Sequence, residues 1–238
     1  MGRFTTIIEN LKTARNNIVG AINDVGELSL DEELNLKQIR SSIYQIDAGV
    51  KHIRTGAELF CGDTTLKLLP DHLPIKKFTS MYKMCYGCSS LQYVGQLETG
   101  NVEDMMWAFY GCSALDCIDG LITSKIKSTY ELFHGCKSLQ SIWYPLDFSN
   151  VESPITYCFV SCSALKNVEF SGSINVDIAM NGSPKLTVAS LTSLLAALAD
   201  FSEDESGEEH LCNIGKTNLA KLTDTQKAVA TDKGWTLE

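Results

Sequence analysis

The sequence predicts an α/β solenoid built from units of about 24 residues, each one helix and one short strand, flanked by a helical N-terminal segment and an α/β C-terminal cap. Three observations predict it. A leucine recurs at Leu66, Leu91, Leu115, Leu139, Leu165 and Leu186, at intervals of 25, 24, 24, 26 and 21 residues. Fixed columns surround that leucine. The composition, with 44% hydrophobic and 21% charged residues, is that of a folded protein able to bury a core.

The columns repeat closely. Six residues before the leucine stand Phe60, Cys85, Phe109, Phe133, Phe159 and Met180. Four before it stand Gly62, Gly87, Gly111, Gly135, Ser161 and Gly182, and three before it Asp63, Cys88, Cys112, Cys136, Cys162 and Ser183. Three after the middle four come Val94, Ile118, Ile142 and Val168. Stretches such as VEDMMWAFYGC and IKSTYELFHGC place Met105, Ala108 and Phe109, or Tyr130, Leu132 and Phe133, at helical spacing. The glycine then reads as a helix C-cap in the left-handed conformation. Leu-x-x-Ile/Val reads as a short strand with inward residues. Neither element buries its apolar face alone, so units must stack.

Stacking puts Cys88, Cys112, Cys136 and Cys162 on one inner line beside the leucines. There cysteine acts as a small buried hydrophobe with a weak S–H donor. Disulfides suit small secreted chains rather than one with its own core. A zinc site at Cys85 and Cys88 is disfavoured because Cys85 fills a column held by Phe in the next three units. A catalytic thiol lacks a histidine placed by the pattern, since His134 stands in a variable column.

The stretch MMWAFYGCSALDCIDGL resembles the bacterial BspA-type leucine-rich repeats with a Met-Phe-x-Gly-Cys-x-x-Leu signature, over roughly residues 55 to 186. It departs at Ser161, at Asp63 and Ser183, and in the short last unit, as worn outer repeats would. The family includes surface adhesins and proteins of gut anaerobes and their phages. The resemblance implies binding and no known catalysis.

Residues 1–50 form an N-terminal segment, 51–186 the repeats and 187–238 the cap. Phe4, Ile7, Ile8, Leu11, Ile18 and Ile22 share one helical face. A capping box at Ser29 and Glu32 opens a second helix through Leu36, Ile39, Ile43 and Ile46. This pair either caps the open end of the stack or serves attachment and homo-oligomerisation through residues 4–46, as the resemblance to phage tail-associated N-termini would have it. In the C-terminal part Leu191, Leu194, Leu195 and Leu198 mark a helix, and FSEDESGEEH is expected as a solvated loop rather than a calcium site. HLCNIG reads as a strand. A capping box at Thr223 and Gln226 then starts a helix with Lys233 in its last turn, and Gly234 ends it before the strand WTLE.

A net charge of -9 and the lack of a basic stripe argue against nucleic acid. A mean hydropathy of -0.02 and no long apolar run predict no membrane span. The first twenty residues lack the apolar core of a signal peptide, so the expected location is the cytoplasm or a virion, with the cell surface reached only by another route. No P-loop, dinucleotide fingerprint, GxSxG or HExxH occurs, and His52, His72, His134 and His210 form no catalytic pattern. The expectation is therefore a protein that is not an enzyme and takes no cofactor or metal. It would bind a protein or glycan through the strand residues that flank each inward Ile or Val: Tyr93, Asp119, Ser141, Trp143, Asn167 and Glu169. The competing reading of Trp143 is a ring packed on a neighbouring unit. The competing function is a tail-associated structural protein without a small ligand, and more remotely a hydrolase.

Overall fold

A computed structural model describes residues 55–69, 73 and 75–238. The helices expected over residues 4–46 lie outside the described residues. All described residues but Leu73 belong to one compact unit spanning Arg54–Pro70 and Ile75–Glu238. It is a mixed α/β structure with two open parallel sheets and few helices.

The first sheet has strands β1 (Tyr93–Leu97), β2 (Cys117–Leu121), β3 (Ser141–Asp147) and β4 (Asn167–Ser171), paired in chain order. Its register aligns Val94, Ile118, Ile142 and Val168 side by side. The equivalent inward position in each unit thus meets its neighbours, and all four side chains are buried. Leu91, Leu115, Leu139 and Leu165 are fully buried beneath them, with Leu66 and Leu186 also in the core. Phe109, Phe133 and Phe159 stack at 5.9 and 5.6 Å between centroids. These apolar rows drive the assembly, since each buried side chain of this size gains about 1.5–3 kcal/mol over exposure.

The expected helix in each unit is absent. The stretches before Leu91, Leu115 and Leu139 are successive four-residue turns. In one, the N–H groups of Met84, Tyr86 and Cys88 close turns onto the carbonyls of Met81, Lys83 and Cys85. The alternate N–H groups of Met81, Lys83, Cys85 and Gly87 donate to Asp104, Met106, Ala108 and Tyr110 of the next unit at 2.7–2.9 Å. A helix would direct every amide back to its own chain four residues earlier; here half leave the unit. The glycines are accordingly not helix C-caps. Gly87, Gly111 and Gly135 have φ of +71, +69 and +77 at the third position of such a turn, where a type II geometry demands positive φ. Ser161 takes the same conformation at φ +60 without that freedom.

The cysteine column has a specific partner. Sγ of Cys88, Cys112, Cys136 and Cys162 donates to the carbonyl of Phe60, Cys85, Phe109 and Phe133 in the preceding unit, at 3.0–3.1 Å. Each carbonyl also accepts the N–H that closes its own turn, from Asp63, Cys88, Cys112 and Cys136 respectively. Both lone pairs are used, and the thiol ties neighbouring units together. The structure carries all nine cysteines as thiols.

The C-terminal part holds β5 (Ile178–Ala179), α1 (Val188–Ala197), β6 (His210–Asn213), α2 (Gly215–Leu219), α3 (Asp224–Thr231) and β7 (Trp235–Leu237). Strands β5, β6 and β7 form the second parallel sheet. Thr187 caps α1 through Ser190 N–H, and the Thr223–Gln226 capping box starts α3 as expected. Lys233 departs from expectation. Helix α3 ends at Thr231, and Nζ of Lys233 instead donates to Leu195, Ala196 and Leu198 carbonyls at the end of α1, at 3.3, 2.7 and 2.7 Å. A cation satisfies carbonyls that a helix end leaves without partners.

Candidate functional site

The parallel register builds two outward rows on the first sheet. One carries Tyr93, Cys117, Ser141 and Asn167, directly paired from strand to strand. The other, two residues further along each strand, carries Gly95, Asp119, Trp143 and Glu169. The expected site residues are therefore brought onto one face, with one exception. Ser141 is buried, its Oγ 3.2 Å from the Asn167 amide nitrogen that donates to it. A side chain so short, between Cys117 and Asn167 on the adjacent strands, is covered by its neighbours and offers no contact surface.

Trp143 is 62% exposed, and Tyr144 beside it is 45% exposed. The cause lies in the strand. Strand β3 runs 7 residues where β2 and β4 run 5, and its register against β4 shifts between Ile142 and Leu146. That irregularity fits the 26-residue interval from Leu139 to Leu165. A bulge re-aims side chains, and here two consecutive aromatics point to solvent beside Pro145. The sequence reading missed Tyr144, although the longer interval and the proline were visible.

Asp119 and Glu169 are exposed on the strands either side of Trp143. Asp119 accepts a hydrogen bond from the Tyr93 hydroxyl, which raises the Tyr93 phenol above its ordinary range. Cys117 sits nearby, its Sγ 4.0 Å from Asp119 Oδ1. Burial, then the Asp119 and Asp116 carboxylates, push its thiol up, against a small opposing pull from the Trp143 indole. A raised thiol holds its proton more firmly and is a weaker nucleophile than an ordinary one, while the row offers hydrogen bonding and aromatic surface.

A second face, unassigned by the sequence reading, lies on the turns. Tyr82, Trp107, Tyr130 and Tyr157 form a row with centroids 5.4, 5.3 and 5.5 Å apart. Beside it Tyr86, Tyr110 and His134 stack at 4.7 and 4.8 Å. The signal was present as aromatics five and eight or nine residues before successive leucines, but the helical reading scattered them around a cylinder.

Elsewhere, FSEDESGEEH is mostly exposed, and His210 stacks on Phe201 at 3.6 Å. His52 and His72 lie outside the described residues. Among the described residues, no three His, Cys, Asp or Glu side chains gather to hold a metal ion, and no helix is long and apolar enough to cross a membrane. Comparison with protein-family models, curated proteins and solved structures finds no match to this chain.

Proposed function

We propose that this chain is a leucine-rich-repeat solenoid of the BspA-like kind, acting as a non-enzymatic binding module that engages a protein or glycan through the exposed face of its first sheet. The observation that carries the reading is Trp143, 62% exposed on a bulged strand between Asp119 and Glu169. A large amphipathic ring held out on a rigid strand loses little conformational freedom on contact, which is why Trp and Tyr anchor interfaces. The flanking carboxylates accept hydrogen bonds from sugar hydroxyls or peptide amides. Tyr93 and Asn167 extend the surface across β1 and β4, and Tyr144 widens its centre.

Screening the full chain on glycan and peptide arrays, followed by titration of the best binder, tests this. Trp143→Ala should weaken that binder by about 2 kcal/mol, roughly 30-fold. The thermal midpoint should stay nearly unchanged, because no core contact is lost. Binding indifferent to both Trp143→Ala and Tyr144→Ala refutes the site. Turnover in a hydrolase panel that vanishes with one side chain refutes the non-enzymatic reading.

A further inference from the structure

The turn face holds one of the chain's own cations over its rings. The Lys83 ammonium lies 5.1 Å from the Tyr82 ring centre, 5.6 Å from Tyr86 and 5.1 Å from Trp107. Lys83 does so from φ +51, a conformation that side chains other than glycine rarely adopt. Ring faces are negative, and a cation over several of them is held electrostatically.

Two units further along, Glu131 takes the column of Lys83, also at positive φ. The ring of Tyr130 beside it is 40% exposed and lies 5.5 Å from that of Tyr157, which is 51% exposed. The Glu131 side chain is only 18% exposed, and its Oε2 accepts the Trp107 indole N–H at 3.0 Å. Among the described residues its only ion-pair neighbour is His134, whose Nδ1 is 3.9 Å away. A carboxylate has about four acceptor positions, so capacity remains. One end of this face thus has rings occupied by the chain's own cation, and the other has rings and a largely covered anion, also hydrogen-bonded with Tyr130, with no permanent cation.

We propose that the Tyr130–Glu131–Tyr157 end of the turn face binds an arginine side chain presented by a partner polypeptide. A guanidinium plane stacks on aromatic rings and donates two parallel hydrogen bonds to a carboxylate, a geometry that a compact ammonium cannot match and that carries a charge a neutral sugar lacks. The net charge of -9 draws basic segments toward the chain before contact. This surface shares no residue with the strand face around Trp143, so the two readings stand or fall separately.

The full chain, labelled with ¹⁵N, is titrated with a short capped Arg-Gly-Arg peptide while the Trp107 indole N–H, which points to Glu131, is followed by NMR. The expected result is a saturable shift of that resonance, with the citrulline counterpart at least about tenfold weaker. Glu131→Gln should cost about tenfold or more, and Tyr157→Ala about fivefold. Glu205→Gln, which removes the same charge from the exposed acidic loop, should change binding by less than about twofold because distant surface charges are screened. Equal weakening by both Glu variants would mean bulk attraction and overturn the proposal. So would equal binding of the citrulline peptide, no saturable shift, or a response confined to the Trp143 indole. Tyr157→Ala keeps the test decisive if Glu131→Gln disturbs the fold.

Discussion

Ser183 occupies the column in which four earlier units place Cys88, Cys112, Cys136 and Cys162, and it lacks what they have. Each of those thiols donates to a carbonyl of the preceding unit at 3.0–3.1 Å. Ser183 is fully buried, yet its Oγ has no hydrogen-bond partner. A buried hydroxyl without a partner costs about 1–3 kcal/mol in lost hydration. Ser183→Ala removes that cost and forfeits only one atom's packing contacts, each about 0.1–0.2 kcal/mol. The net gain should be about 1 kcal/mol, and Ser183→Cys should gain at least as much by restoring the donor. Urea unfolding gives the free energy directly. Calorimetry should show a midpoint about 2–4 °C higher for a chain of this size. A loss of stability in Ser183→Ala would show that the hydroxyl is bonded in solution and refute the reasoning.

Leu139→Ala should cost about 2–5 kcal/mol, because Leu139 is fully buried and the lost transfer energy is joined by a cavity. Urea unfolding checks it, and a cost below about 1 kcal/mol would contradict the packing described here. Burial pushes the Cys162 and Cys212 thiols up to about 12, whereas an unfolded thiol titrates near about 8.5. In that window the unfolded chain releases protons that the native one keeps. The contribution is therefore complete below the unfolded value and is lost as pH rises toward 12, so the urea midpoint should fall between pH 9 and pH 11, and less steeply in Cys212→Ala. Lys233→Met should cost about 1–2 kcal/mol by stripping three carbonyls at the end of α1 of their donor, measured by the same unfolding.

Much of the strand side was legible in the sequence. Leu91, Leu115 and Leu139, with Val94, Ile118 and Ile142, return at a fixed interval because equivalent positions meet across a parallel sheet. The capping box at Thr223 was legible for a different reason, since both of its partners lie within four residues. The turn stretches were misread because Met105, Ala108 and Phe109 at positions i, i+3 and i+4 point inward from consecutive four-residue turns as well as from a helix. Lys233 was misassigned because its acceptors lie 35–38 residues away, beyond any local rule. At the candidate site, alternation placed Trp143 and Glu169 outward correctly. It could not foresee that neighbouring strands bury Ser141, or that the bulge turns Tyr144 outward.

The turn geometry also changes how the units depend on one another. A helix satisfies its amides internally, so units made of helices would be coupled mainly by side-chain packing. Here Met105, Trp107, Phe109 and Gly111 donate to Ser128, Tyr130, Leu132 and His134 of the following unit, while β2 pairs with β3 on the other side. The boundary between these two units is therefore bonded along two backbone ladders, with a thiol–carbonyl bond between them. A turn stretch released from its neighbour would lose half of its amide partners, and their desolvated groups would have to find water. The chain thus accepts Trp107 and Glu131 at positive φ, each a local strain, because the same conformation aims alternate amides at the next unit. The positions that bear this strain also carry Trp107 and Glu131 on the aromatic turn face. Coupling between units and the shape of that surface come from one backbone conformation.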